Sequence, residues 1–355
     1  AMESQVDIVY DEGKGLSTEQ QQYDPTPIIN ELRAHVDRWR ELPNPNDWSV
    51  TPETARLLQH WRHHKFSHFR PFFCQVEAME TLIWLTEVSP GHAAGKKFLD
   101  HLDAANALSN PGLPRLALKL ATGAGKTTVM AMLIAWQTIN SVRREGSKKF
   151  TRGFLVVTPG LTIKDRLRVL QPHDPDSYYR RMELVPADML RDLERAKIVI
   201  TNYQALKRRE TLELSKGGRA LLQGRTGEAI QSLESEGQML QRVMPELMGL
   251  KNILAINDEA HHCYREKPEE QSDEEDLTGD DRKEAEKNRE AARLWISGLE
   301  AAQQKLGLIR IVDLSAVISG PIPAGSPTLI PINGFFNVVL LKIKRNGCRR
   351  PCAGA

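Results

Sequence analysis

The chain has 355 residues, 40% of them hydrophobic and 26% charged, enough to bury a sizeable core in roughly two domains. A formal net charge of +2 decides nothing about a polyanionic partner, so local charge must carry that question. No apolar run reaches membrane-spanning length and no signal peptide is evident. Cys74, Cys263, Cys348 and Cys352 fit neither a disulfide framework nor a structural zinc spacing, so a cytoplasmic setting with no membrane partner is expected.

Residues 1–26 are polar and read as a flexible arm. Residues 27–115 read as a mainly helical N-terminal extension. Ile28, Ile29, Leu32, Val36 and Trp39 recur at helical period. Thr51-Pro52-Glu53 is a helix start, with Thr51 as N-cap and Pro52 in the first turn. His60, His63, His64 and His68 follow at spacings of three and four. That spacing suits a metal site, a basic patch or ordinary surface histidines, but no Cys or acid joins them in register. A further helix spans Phe72 to Thr86, and residues 92–114 read as a helical or mixed insertion.

From residue 116 the pattern becomes α/β. Leu116–Leu120 is a short apolar run suited to a buried parallel strand. It is followed by Thr122, Gly123, Ala124, Gly125, Lys126, Thr127 and Thr128, and then by a strongly helical stretch to Trp136. Glycines let successive backbone N–H groups face a phosphate, and a helix N-terminus adds positive potential. In this order Lys126 would reach the β and γ phosphates of ATP, and the Thr127 hydroxyl would ligate Mg²⁺. The position four residues before Ala124, where the general motif has its first Gly, is Leu120. Phe154–Val157 and Lys197–Thr201 read as strands and Met182–Leu184 as a weak one. Arg166, Arg168, Arg180 and Arg181 add local positive charge. Residues 207–225 hold six basic side chains among glycines, a pattern suited to phosphate backbones. Residues 227–250 read as mostly helical. Ile253–Asn257 is another buried strand, with Asp258 and Glu259 at its C-terminal end, where ligands of parallel sheets gather. Asp258 would hold Mg²⁺, and Glu259 would orient or deprotonate the attacking water. Residues 265–290 carry 12 acidic and 6 basic side chains and read as a solvated acidic insertion running into a helix near Lys283. A covering helix follows over 291–306, with Gly298 interrupting its apolar pattern, and Ile309–Leu314 is the last strand.

Taken together, Ala121–Thr127 (ATGAGKT) and Asp258–His261 (DEAH) resemble a superfamily 2 helicase or translocase. The resemblance is nearest to the restriction (Res) subunit of type III restriction enzymes and related DEAD/DEAH-box proteins. Val156–Gly160 is similar to motif Ia of those proteins, Ile200–Leu206 to the next DNA-side motif, and Asp313–Ala316 to the start of motif III. Residues 73–78 are similar to the glutamine motif, where Gln75 would read adenine. The likeness covers roughly residues 60–316. It implies a RecA-like P-loop fold with a parallel sheet and helices on both faces over 116–316. It also implies catalytic roles for Lys126, Asp258, Glu259 and His261, and contacts from Thr158, Pro159, Gly160, Thr201 and Asn202 to double-stranded DNA. A methyltransferase subunit is the partner it implies.

The likeness departs at Val317, where the family has Thr. Residues 317–355 hold no acidic residue, five glycines and five prolines, and read as an atypical tail without a second RecA-like domain. Phe335–Ile343 is apolar enough for an edge strand. The expected function is a DNA-dependent ATPase motor domain whose isolated turnover is weak, with a non-catalytic DNA- or partner-binding module as the alternative.

Overall fold

The computed structural model describes residues 10–11, 15–16, 26–121, 123–211, 232–260, 263 and 280–317. The expectations for Thr122, His261, the basic residues 216–225, most of the acidic insertion and the stretch 335–343 lie outside the described residues.

Five parallel strands form the central sheet: β3 (Arg115–Ala121), β4 (Gly153–Thr158), β5 (Lys197–Asn202), β8 (Ile253–Asp258) and β9 (Leu308–Val317), in the order β3-β9-β8-β4-β5. Two short antiparallel pairs stand apart from it. Tyr10–Asp11 (β1) pairs with Gly15–Leu16 (β2), and Glu210–Thr211 (β6) pairs with Ser232–Leu233 (β7). The strands are apolar on both faces because helices cover both, as purely parallel sheets require. One face packs Leu118, Val156, Leu254 and Val312 against Leu82, Ile134 and Trp136. The other packs Leu155, Ala255 and Ile311 against Leu240, Trp295 and Leu299.

The N-terminal helices are α1 (Thr26–Arg40), α2 (Pro52–His63), α3 (Phe73–Ile83) and α4 (Ala93–Ser109). Thr51 caps α2 by accepting the Thr54 N–H. The apolar faces of α1 and α2 share one continuous core with α3 and with α5 (Lys126–Arg143), through Leu32, Trp39, Leu58 and Trp61. Acids buried on α3 are paired: Glu80 receives Arg40 and Arg62, and Glu77 receives Arg33. Arg62 also lies over the Trp48 ring at 4.6 Å, which adds to the compensation of its charge.

Several elements differ from the sequence reading. Met182–Leu184 forms no strand, because a tight turn brings Glu183 to φ 50° and places its carboxylate beside His64 and Ser67. The stretch 227–250 is less helical than expected where it is described. It contains β7, a helix of eight residues, Glu236–Val243, started by a reciprocal Ser235–Gln238 capping box, and a short 3-10 turn, Pro245–Leu247. The final helix runs from Asp280 to Leu306, starting close to Lys283 as expected but passing through Gly298 without a break. Gly298 is there for packing: a Cβ would stand 2.5 Å from Leu206 Cδ1.

Candidate active site

The site is built at the C-terminal ends of β3 and β8, which flank β9. After β3 the chain turns sharply, with the Ala124 N–H donating to the Ala121 carbonyl at 3.0 Å, and α5 starts at Lys126. Gly123 and Gly125 take φ of 77° and 78°, a region that costs an L side chain about 1–2 kcal/mol. Gly125 is also held by close approach, since a Cβ there would meet Gln75 Nε2 at 2.4 Å.

Gln75 has a role the sequence did not indicate. Its side chain is buried, its Nε2 donates to the Ala124 carbonyl at 2.8 Å, and its Oε1 accepts the Phe72 N–H at 2.9 Å. Here the amide ties the glycine turn to the start of α3. The adenine-reading role expected from resemblance would compete with both bonds.

Lys126 Nζ donates to Glu259 Oε1 at 2.5 Å, so residues 133 positions apart meet at one point. Glu259 has φ 48°, a strained conformation for a side chain of its kind, at the turn that carries it off β8. Asp258 is buried, and its Oδ1 makes no hydrogen bond among the described residues. Burial raises its pKa and the adjacent Glu259 adds to that, while Lys126 and Arg166 oppose the rise. An ionised, buried carboxylate oxygen without a partner suits a divalent cation. Thr127, partly buried on the first turn of α5, is the hydroxyl that the motif order pairs with Asp258. Arg166, read from sequence only as one of several basic residues, acts electrostatically on this site.

Below the acids a buried polar chain crosses the sheet. Trp295 Nε1 donates to Asn257 Oδ1 at 3.0 Å, and Asn257 Nδ2 donates to Asp313 Oδ1 at 2.7 Å. Arg115 Nε then donates to Asp313 Oδ2 at 2.8 Å, and Arg115 Nη1 to the Cys263 carbonyl at 2.9 Å. The chain links β8 just before Asp258, the loop after Glu259, and β9. Sequence pattern marked Asp313 but gave no signal for Arg115, Asn257 or Trp295.

The expected DNA-side residues divide. Thr158 is buried, and its Oγ1 donates to the Gly160 carbonyl at 3.0 Å, closing its own turn. Thr201 and Asn202 are also buried, and Asn202 Oδ1 caps the next turn by accepting the Ala205 N–H. Pro159 and Gly160 remain partly exposed, and Lys207, Arg208 and Arg209 stand exposed just beyond β5. Of the four histidines, His60 and His64 stack at 4.2 Å against the Glu183 turn, while His63 and His68 are exposed. No group of three or more His, Cys, Asp or Glu side chains placed to hold a metal ion occurs among the described residues.

A glycine turn opening a helix, with an Asp-Glu pair two strands away in a parallel sheet covered on both faces, defines a RecA-like P-loop domain of the helicase-like, ATP-binding class. A family model described as "Type III restriction enzyme, res subunit" matches residues 68–298, and the chain belongs to that family. Searches of curated proteins and of solved structures return no match to the chain. No helix among the described residues is long and apolar enough to cross a membrane.

Proposed function

We propose that this chain is the first motor domain of a DNA-dependent ATPase of a type III restriction or related defence system, binding Mg²⁺·ATP at the β3–α5 turn. The observation that carries the reading is the meeting of Lys126 with Glu259 beside the unpartnered oxygen of Asp258. The turn's backbone N–H groups and Lys126 would hold the β and γ phosphates, and Thr127 and Asp258 would hold the metal. Bound there, Mg²⁺ would neutralise phosphate charge. Lys126 has to leave Glu259 to reach the phosphates, which frees the Glu259 carboxylate to accept a proton from water. Nucleotide arrival and exposure of the base are thus one event. Exposed Phe72, next to the Gln75 anchor, offers a face on which the base can stack.

Duplex DNA would lie along the C-terminal edge of β4 and β5. Pro159, Gly160 and the exposed Lys207–Arg209 would face its phosphates, and Thr158, Thr201 and Asn202 would shape the turns behind them. A methyltransferase subunit is the partner this reading carries.

The test is ATP turnover with and without duplex DNA, beside Glu259→Gln. Basal turnover, however slow, should rise with DNA and vanish in the variant. Turnover that survives Glu259→Gln would overturn the assignment.

A further inference from the structure

A cavity of about 300 Å³ opens at the opposite, N-terminal edge of the sheet, between β8 and β9 and the helices α3, α4 and α5. Its lining is mixed: Leu82, Leu99, Leu133 and Val312 are apolar, Thr86, Asp103 and Gln137 are polar, and Arg310 lines it from β9. Strand alternation puts residue 310 in phase with Val312 and Leu314, which pack into the core. An arginine therefore occupies a position where the pattern calls for an aliphatic side chain. A register shift between β8 and β9, pairing Ile253 with Leu308 but Leu254 with Arg310, falls at this point. Bulges of this kind re-aim side chains.

The guanidinium has no hydrogen bond or ion pair to another described residue. Burial lowers its pKa, and the field of Asp103 on α4, also at the cavity, works against that. Lys148 and Lys149 stand exposed at the mouth, so the cavity carries three cations against one acid. Arg310 is partly exposed and Asp103 is the one acid lining the cavity, so the guanidinium keeps donors available to an incoming anion. The arrangement is that of a small-ligand site: a chamber with an aliphatic side and one fork-shaped donor to fix a carboxylate.

We propose that this cavity binds a small organic monocarboxylate, with its apolar body between α3, α4 and α5 and its carboxylate on Arg310. The site is independent of the nucleotide site, which lies at the other end of the strands. Neither site's existence depends on the other.

The test is calorimetric titration of the full chain with 4-phenylbutyrate, with the neutral 4-phenylbutanol and inorganic phosphate as comparisons. Arg310→Met and Leu99→Trp are run alongside, the second filling the chamber while keeping the charge. The site predicts saturable one-to-one binding of the acid, at least tenfold tighter than the alcohol or phosphate. Binding should fall at least tenfold in both variants, with Mg²⁺·ADP affinity unchanged. The Tm of Arg310→Met should be equal to or above that of the wild type. Absence of acid binding, equal binding of acid and alcohol, phosphate binding as tight as the acid, retention in either variant, or a fall in the Tm of Arg310→Met would each overturn it.

Discussion

Replacing Glu259 by Gln tests whether the Lys126–Glu259 contact guards the nucleotide site. The pair is close, at 2.5 Å, but its side chains keep 16% and 29% of their exposure, so solvent weakens it. A charge-assisted bond of this kind is worth about 1.5–3 kcal/mol when well shielded and about 1 kcal/mol or less at an exposed surface, so about 1 kcal/mol is a fair figure here. Glutamine keeps the shape and the positive φ of residue 259, so backbone strain is common to both proteins. Lys126 is then released at no cost to the nucleotide, and affinity for Mg²⁺·ADP should rise about fivefold. ADP is the right probe because it has no γ-phosphate to be repelled by Glu259 and none to be hydrolysed. Titration of a fluorescent ADP analogue at low and high salt gives the answer, with the gain shrinking as salt screens the pair. Equal or weaker ADP binding by the variant would refute the idea that the lysine is held back.

Asp258 should make stability depend on pH in the direction opposite to a paired carboxylate. Its folded pKa is raised, so its contribution is fullest below the usual carboxylate value and is lost as pH rises through the raised one. Mg²⁺ should restore that loss, so the rise in Tm with Mg²⁺ should be larger at about pH 7.5 than at about pH 5, and Asp258→Asn should abolish the difference while stabilising the metal-free protein by about 1 kcal/mol. Gln75→Ala removes the bond to the Ala124 carbonyl and the one from the Phe72 N–H, and should cost about 2 kcal/mol in urea unfolding, with nucleotide affinity falling about tenfold. Gly298→Ala gains about 1 kcal/mol of helix propensity but drives a methyl into Leu206, at about 1–3 kcal/mol, so a net loss of up to about 2 kcal/mol should appear in thermal melts.

The sheet was legible because its strands are short apolar runs followed by turn chemistry, and β3, β4, β5, β8 and β9 stand where those runs are. Thr51-Pro52 announced α2 by capping logic alone. Glu183 misled the reading because a turn and an extended strand both suit Met-Glu-Leu, and the His64 contact that fixes the turn is 119 residues away. Gly298 misled it because propensity is local and Leu206 is remote. At the site, Lys126 and Glu259 were marked by motif order, but their contact was not. Gln75 had been given a ligand-facing role, whereas its bonds depend on where α3 meets the glycine turn. Arg115 and Asn257 carry no motif, and they matter only because β9 comes to lie between β3 and β8.

The most direct test of the account is Mg²⁺·ATP binding by the wild-type chain and by Lys126→Ala, followed by equilibrium titration. The account predicts saturable, Mg²⁺-dependent binding that weakens at least tenfold in the variant. Tight binding unaffected by loss of the Lys126 ammonium would contradict it.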